Sequence, residues 1–105
     1  MKGDNQMTAT RKMNGTTLEI AVEGKLDTMT APELAAEIGK GLDGAESLLW
    51  DFSKLDYISS AGIRVLLTAA NMLEDPDKMK VKNSNEIVST ALTLTGLGDL
   101  LQDAE

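Results

Sequence analysis

The alternation of apolar and polar residues near the start of the chain predicts a β-hairpin. Residues 7–13 alternate weakly, and residues 17–23 alternate clearly. Three apolar residues of the second segment recur at every second position and should face the core: Leu18, Ile20 and Val22. Asn14 and Gly15 lie between the segments. Because both residue types tolerate positive φ angles, they predict a type I′ turn.

The pattern then changes to helical spacing. Residues 24–27 are predicted to leave the strand, and residues 30–33 (TAPE) match a capping box. In such a box the threonine hydroxyl accepts a backbone N–H and the glutamate reaches back to the threonine. The apolar stripe that follows comprises Ala31, Leu34, Ala35, Ile38 and Leu42. Glycines then weaken and end the helix, which is predicted over residues 31–42.

Residues 47–52 (SLLWDF) form a short apolar run followed by a loop. Such a run predicts a buried central strand that is apolar on both faces. A second helix is predicted over residues 61–74, and Asp75-Pro76-Asp77 ends it. Its apolar stripe comprises Ile63, Leu66, Leu67, Ala70 and Leu73.

The last third of the chain predicts one more strand and one more helix. Residues 79–82 read as a short strand, with Met79 and Val81 inward. Residues 86–93 read as a helix that Asn85 caps. Its apolar positions are Ile87, Val88, Ala91 and Leu92. Residues 99–102 add a final turn, and residues 102–105 are expected to form a frayed tail.

The predicted order β-β-α-β-α-β-α defines the fold class. It predicts an α/β fold with a mixed β-sheet that begins with an N-terminal hairpin. Right-handed parallel crossovers should follow, with the helices packed against the sheet. The 105 residues suit one domain spanning residues 1–105, since a chain of this size can bury one ordinary core.

Composition narrows the possible functions. The chain has no cysteine and no histidine, so it lacks thiol chemistry and the commonest general base and metal ligand. We therefore expect no enzyme activity and no cofactor or metal. A net charge of −7 and 3% aromatic residues argue against nucleic-acid binding. The absence of a long apolar run or a signal peptide predicts a cytoplasmic protein that does not enter membranes.

The serine pair before the second helix is the main candidate for function. A serine in this position is most often an N-cap worth about 1 kcal/mol. Ser59 and Ser60 are two serines where one cap suffices, and the small residues Ala61 and Gly62 follow, so another protein's active site could approach the backbone. A phosphate here would meet the positive end of the helix dipole and would present about two negative charges to a partner. The pattern alone leaves both readings open.

Three segments carry a family resemblance: residues 24–34 (GKLDTMTAPEL), 51–67 (DFSKLDYISSAGIRVLL) and 91–101 (ALTLTGLGDLL). Their order and spacing resemble single-domain STAS proteins of the anti-sigma factor antagonist type, the group that contains SpoIIAA and RsbV. The resemblance covers nearly the whole chain, and the middle segment is the most specific. It implies a STAS-like fold and a partner-switching function.

In such a switch, the unphosphorylated protein binds a GHKL-type serine kinase, often an anti-sigma factor. The kinase phosphorylates the STAS serine with ATP and the complex separates, and a PP2C-type phosphatase restores binding. The family serine opens the second helix, two positions before a glycine, which implies Ser60 with Gly62. Many relatives have aspartate directly before that serine, where this chain has Ser59. Ser59 is therefore the helix cap or an alternative acceptor.

Other residues carry over as partner contacts or as structural groups. Asp27 should lie near Ser60, where it bonds loop N–H groups or contacts the partner. Arg64 should lie one turn beyond Ser60 on the solvent side, paired with a partner carboxylate or simply solvated. Asp51 and Ser53 should lie at the same edge of the sheet and organise the loop there. The expected partner-binding set is Asp27, Ser59, Ser60, Gly62 and Arg64, in a protein expected to be a monomer.

Two other functions are compatible with parts of this pattern. STAS proteins also serve, without phosphorylation, as subunits of Mla-type ABC lipid-transport complexes, and the short chain with its ISSAG segment fits that role too. A two-component receiver with Asp51 as acceptor would need an acidic pair after its first strand to hold Mg²⁺. Here the first strand enters an Asn-Gly hairpin instead. A serine hydrolase is also disfavoured, because no glycine precedes the serine pair at nucleophile-elbow spacing.

Overall fold

The computed structural model describes residues 7–101 and shows the predicted order of elements. The segments 1–6 and 102–105, including the predicted tail, lie outside the described residues. The strands are β1 (Met7–Asn14), β2 (Thr17–Leu26), β3 (Ser47–Ile58) and β4 (Met79–Lys82). The helices are α1 (Ala31–Ile38), α2 (Ser60–Met72) and α3 (Glu86–Leu94), with 3₁₀ turns at Pro76–Lys78 and Gly98–Leu100.

The four strands form one mixed sheet in the order β1-β2-β3-β4. β1 and β2 pair antiparallel, whereas β2 with β3 and β3 with β4 pair parallel. The α1 and α2 helices make the parallel crossovers. This arrangement confirms the predicted α/β class, with its N-terminal hairpin, mixed sheet and packed helices.

The core lies between one face of the sheet and the helices. Ile20, Trp50 and Val81 are neighbours across three strands and are almost fully buried. Side chains from all three helices join them in a single cluster, including Leu34, Leu66 and Leu92. No helix in residues 7–101 is long and apolar enough to span a membrane.

Within residues 7–101, no helix covers the other face of the sheet. In residues 47–52, Leu48, Trp50 and Phe52 are buried, whereas Leu49 and Asp51 are partly exposed. The prediction that this strand is buried on both faces is therefore wrong. Helices cover only one face, so its side chains alternate between the core and solvent.

The hairpin forms as predicted, but its turn type differs. Asn14 pairs with Thr17, so Gly15 and Thr16 are the two central residues. Gly15 has φ +67°, and Thr16 is not among the residues with positive φ. A type I′ turn needs positive φ at both central positions, so that prediction is wrong. Glycine with positive φ at the first central position is what a type II′ turn requires.

β2 and β3 extend well beyond their predicted ends. β2 continues to Leu26 and β3 to Ile58, through a segment predicted as loop. At two points the register shifts, and β3 has one residue more than β2 between paired positions. Such bulges break the two-residue period and so hide a strand from pattern analysis. The extension brings Ile58 beside Leu26 at the end of the sheet.

The helix boundaries and stripes also need correction. α1 ends at Ile38 rather than at 42, and α2 ends at Met72 rather than at 74. The C-terminal end of α1 is held by the Arg11 guanidinium of β1, which donates to the Glu37 and Gly41 carbonyl oxygens, each at 2.9 Å. Three residues assigned to the buried stripes are exposed instead: Ala35, Leu67 and Ile87.

Candidate functional site

The three helices all begin at one edge of the sheet. α1, α2 and α3 follow β2, β3 and β4 respectively, so their N-termini meet at the carboxyl ends of the parallel strands. We call this the carboxyl edge, and it comprises residues 27–30, 56–60 and 83–85. The Asn85 side-chain amide, which also caps α3, donates to the Leu55 carbonyl oxygen at 3.1 Å and ties two of these segments together. Ligand sites of open α/β sheets typically lie at this edge.

Ser59 links β3 to α2 and caps the helix. Its backbone N–H donates to the Leu26 carbonyl oxygen at 2.8 Å. Its Oγ accepts from the Gly62 N–H at 3.3 Å, and its carbonyl oxygen accepts from the Ile63 N–H at 2.9 Å. The backbone is extended, as expected for an N-cap. Ser59 thus has the first of the two roles expected for it.

Ser60 is the first residue of α2 and is exposed. Among residues 7–101, no group forms a hydrogen bond with its hydroxyl. Arg64 follows one helical turn later and is also exposed, as its spacing predicted. The structure therefore places a capping hydroxyl and an unengaged hydroxyl side by side.

Gly62 faces inward rather than outward. It is buried, and a Cβ atom there would lie 2.7 Å from Leu26 Cγ and 3.0 Å from Ile58 Cγ1. Real Cβ atoms essentially never come as close as 2.7 Å, so glycine allows α2 to pack on the ends of β2 and β3. Gly62, one of the expected partner-binding residues, is therefore buried against the ends of β2 and β3.

The loop before α1 is held by Asp27. Its Oδ1 accepts from the backbone N–H groups of Met29 and Thr30 at 2.9 and 3.0 Å. Its carbonyl oxygen accepts from the Ala31 N–H at 2.8 Å. The hydrogen bond from the Thr30 backbone, followed by that from Met29, lowers the pKa of Asp27. Asp27 thus bonds local backbone N–H groups, and it directly follows Leu26, whose carbonyl oxygen accepts from the Ser59 N–H.

The predicted capping box at Thr30 is wrong. The Thr30 hydroxyl makes no cap bond to its own helix. It donates to the Lys25 carbonyl oxygen at 2.7 Å and accepts from the Asp27 N–H at 2.9 Å. Thr30 is 2% exposed, the only buried polar residue in the described part of the chain. Its hydroxyl therefore fastens the turn between β2 and α1.

The structure separates Asp51 and Ser53 from the serine pair. Asp51 lies in the middle of β3, between Ala21 and Lys82 and on the uncovered face of the sheet. Its Oδ1 accepts from the Ser53 N–H at 3.0 Å. Partial burial raises the pKa of Asp51, but this hydrogen bond and others outweigh it, so the net shift is downward. The prediction that both residues lie at the edge beside Ser60 is wrong, because β3 continues past them to Ile58.

Two exposed apolar residues at the carboxyl edge were not identified from the sequence. Met29 is 79% exposed in the loop before α1, and Tyr57 is 43% exposed near the end of β3. Tyr57 pairs with Lys25 across the strands. A large apolar residue within the polar stretch DTMT was the available signal for Met29. Within residues 7–101, no group of three or more acidic, histidine or cysteine side chains could hold a metal ion.

A family model and a named relative match this chain. A family model described as "Mlab, STAS domain" matches residues 9–102. A Bordetella bronchiseptica protein that its name designates an anti-sigma factor antagonist, BtrV, is 40% identical over 53 residues. The alignment covers 50% of this chain and 46% of BtrV, so this chain spans about half the length of that relative.

Solved structures show the same fold. An anti-sigma factor antagonist from Mycobacterium paratuberculosis has a TM-score of 0.82 at 24% identity, over 93% of this chain and 86% of that one. SpoIIAA in its unphosphorylated form has a TM-score of 0.77 at 23% identity, over 93% and 89%. Phosphorylated Bacillus SpoIIAA has a TM-score of 0.71 at 22% identity, over 93% and 92%.

Proposed function

This chain belongs to the STAS domain family, as its sequence motifs predicted, because the family model covers residues 9–102. From that premise we propose that it is an anti-sigma factor antagonist that acts by partner switching. The observation that carries the proposal is the exposed hydroxyl of Ser60, which no described residue engages, directly after the capping Ser59. The relatives named as antagonists support the same conclusion.

The unphosphorylated protein would bind its partner through the carboxyl edge. Exposed Met29 and Tyr57 offer apolar contact area, and Arg64 adds a cation beside Ser60. Apolar groups with a few polar anchors are typical of protein interfaces. The proposed partner is a GHKL-type serine kinase that also acts as the anti-sigma factor. Because this kinase phosphorylates Ser60 with ATP, we place the protein in the cytoplasm. We propose that it acts as a monomer and binds neither nucleic acid nor membrane.

Phosphorylation of Ser60 would then release the partner. The phosphate adds about two negative charges to the centre of the contact surface, where they oppose binding. Since the Ser60 hydroxyl makes no bond within the described residues, its modification removes no interaction that holds the fold. The N-terminus of α2 tolerates the negative charge. A PP2C-type phosphatase would restore the binding form.

The structure also supports a division of roles within the serine pair. Phosphorylation of Ser59 would convert the capping Oγ into a phosphate ester oxygen, a weaker acceptor, and would crowd the Gly62 N–H. Phosphorylation of Ser60 disturbs neither group. We therefore propose Ser60 as the acceptor, with Ser59 as the alternative to be excluded by mapping.

Incubation with the kinase and ATP tests this proposal. One phosphate should appear on Ser60 by peptide mapping, and a Ser59→Ala control should still accept it. Ser60→Asp should weaken kinase binding at least about tenfold, which is about 1.4 kcal/mol, with an unchanged circular dichroism spectrum. Ser60→Ala should stay bound in the presence of ATP. A phosphate elsewhere, or unchanged affinity of the aspartate variant, would contradict the switch.

A second function is favoured by one observation, the Mlab name of the matching family model. On that alternative, the chain is a subunit of an Mla-type ABC lipid-transport complex and binds an ATPase without being phosphorylated. Affinity purification distinguishes the two functions. A stable complex with an ABC ATPase that Ser60→Asp leaves intact would favour the transport subunit over the switch.

A further inference from the structure

Arg64 is the only charged residue of the 13-residue helix α2. It lies four positions after Ser60, the spacing at which two helical side chains are neighbours, with Cβ atoms about 5–6 Å apart. Side chains on a helix lean toward its N-terminus, so the long arginine side chain extends toward Ser60. The spacing along α2 therefore puts a group on Ser60 within reach of the Arg64 guanidinium.

Arg64 has no competing partner among the described residues. The basic side chains that form ion pairs there are Arg11, Lys40 and Lys82. α2 itself contains no acidic residue. The Asp27 Oδ1 atom already accepts from two backbone N–H groups. A guanidinium that is exposed and has no ion pair within residues 7–101 is available to a new anion at Ser60.

Resting on the proposed function, we infer that Arg64 exchanges partners when Ser60 is phosphorylated. In the unphosphorylated protein its guanidinium is part of the surface that the partner meets. In the phosphorylated protein it pairs with the phosphate of its own helix, through the charge-assisted, bidentate hydrogen bonds that guanidinium and phosphate groups form. Phosphorylation thus adds negative charge and withdraws a cation in one event.

This exchange differs measurably from simple charge repulsion. With repulsion alone, Arg64 stays solvated and contributes equally to both forms, so its effect and the effect of the phosphate are independent. With the exchange, the two effects are coupled, because the phosphate removes the contact that Arg64 makes. The local charge of the pair also changes from +1 to about −1.

Phosphorus NMR of the isolated protein tests the pairing without any kinase. Phosphoserine is placed at position 60 of the full chain by genetic encoding, and its ³¹P shift is followed from pH 4 to 8. Arg64→Gln should raise the second pKa of the phosphate, ordinarily near 6, by at least about 0.3 unit. Arg64→Lys should give an intermediate value. The matched control Lys12→Gln removes a charge from β1, away from the carboxyl edge.

The other charged groups at or next to the carboxyl edge are the same in every variant: Lys25 on β2, Asp27 before α1, Asp56 on β3 and Glu86 at the start of α3. Their contribution therefore cancels in the comparison. Indistinguishable titrations of the wild type and Arg64→Gln would overturn the pairing, whether or not a kinase acts on Ser60.

A binding cycle then tests the exchange. Kinase affinity is measured for the wild type and Arg64→Gln, each with serine and with phosphoserine at position 60. The exchange predicts that phosphorylation weakens binding at least about threefold less in Arg64→Gln than in the wild type, a coupling of about 0.65 kcal/mol. Equal ratios would contradict the exchange while leaving the switch at Ser60 intact. Failure of phosphorylation to weaken either protein would instead contradict the proposed function.

Discussion

The N-termini of α1 and α2 are alike in position but opposite in how they use their hydroxyl groups. Both helices follow a parallel strand and begin at the carboxyl edge. At α1 the Thr30 hydroxyl is buried and makes two hydrogen bonds to backbone groups. At α2 the Ser59 hydroxyl caps the helix, and the Ser60 hydroxyl is exposed and unbonded among the described residues.

This difference shows what makes a helix start suitable for modification. A hydroxyl that satisfies buried backbone groups cannot accept a phosphate without breaking the turn it holds. A second hydroxyl beside a complete cap can accept one at little structural cost. The comparison predicts that variants of Thr30 reduce stability, whereas variants of Ser60, the first residue of α2, affect only binding.

Thr30→Val should have the largest effect on stability. Valine keeps the shape but leaves the Lys25 carbonyl oxygen and the Asp27 N–H without their side-chain partner. Leaving two such groups unsatisfied should lower the free energy of unfolding by about 3 kcal/mol, measured by urea denaturation. The control Thr28→Val changes an exposed threonine in the same loop and should cost less than about 0.5 kcal/mol. Equal losses in the two variants would show that the Thr30 hydroxyl does not hold the turn before α1.

Gly62→Ala should have the next largest effect. The new Cβ would lie 2.7 Å from Leu26 Cγ, and the strain should exceed the roughly 1 kcal/mol that alanine gains over glycine within a helix. We expect a net loss of about 1–2 kcal/mol in the free energy of unfolding. Combined with Leu26→Ala, which removes the opposing atom, it should cost less than the sum of the two single changes. Strict additivity would show that the contact is not the cause.

Ser59→Ala should cost about 1 kcal/mol, the usual value of an N-cap. The matched variant Ser60→Ala should change stability by less than about 0.5 kcal/mol. Thermal unfolding of both proteins measures this contrast directly. If Ser60→Ala were the more destabilising change, the assignment of Ser59 as cap would be wrong.

Asp27→Asn should give the smallest effect, and one that depends on pH. The pKa of Asp27 is lowered in the folded protein, chiefly by the Thr30 backbone hydrogen bond. Its ionised form therefore stabilises the fold above the unfolded value of 3.8, and this contribution is lost as the pH falls from there through the folded value. The stability difference between wild type and Asp27→Asn should shrink as the pH is lowered from 6 to 3. A difference that is constant across this range would argue against a role for the carboxylate charge.

Much of the fold was predictable because its signals are local. The hairpin, the order of elements and the cap at Asn85 follow from apolar period and helix-start chemistry. The parts that were not predictable depend on tertiary contacts. The bulges of β3 conceal the length of the strand, and the carbonyl oxygen of Lys25 takes the Thr30 hydroxyl that the capping box would use.

The same distinction applies to the site. The serine pair, its position at a helix start and the exposure of Arg64 follow from residue type and helical spacing. Three-dimensional contacts were needed to see that Gly62 faces Leu26 and that Asp51 lies away from Ser60. They were also needed to find Met29, whose exposure depends on how the loop before α1 turns.

Trp50 is an intrinsic fluorescent probe that reports on the core of the protein. It is the only tryptophan of the chain, it is fully buried, and its ring lies 5.9 Å from that of Phe52. Its emission should shift to longer wavelength when the core opens to water. Because Trp50 lies in the middle of β3 and faces away from solvent, events at the helix starts should leave its spectrum unchanged. Unfolding and switching can therefore be followed in the same sample, by intrinsic fluorescence and by phosphorus NMR respectively.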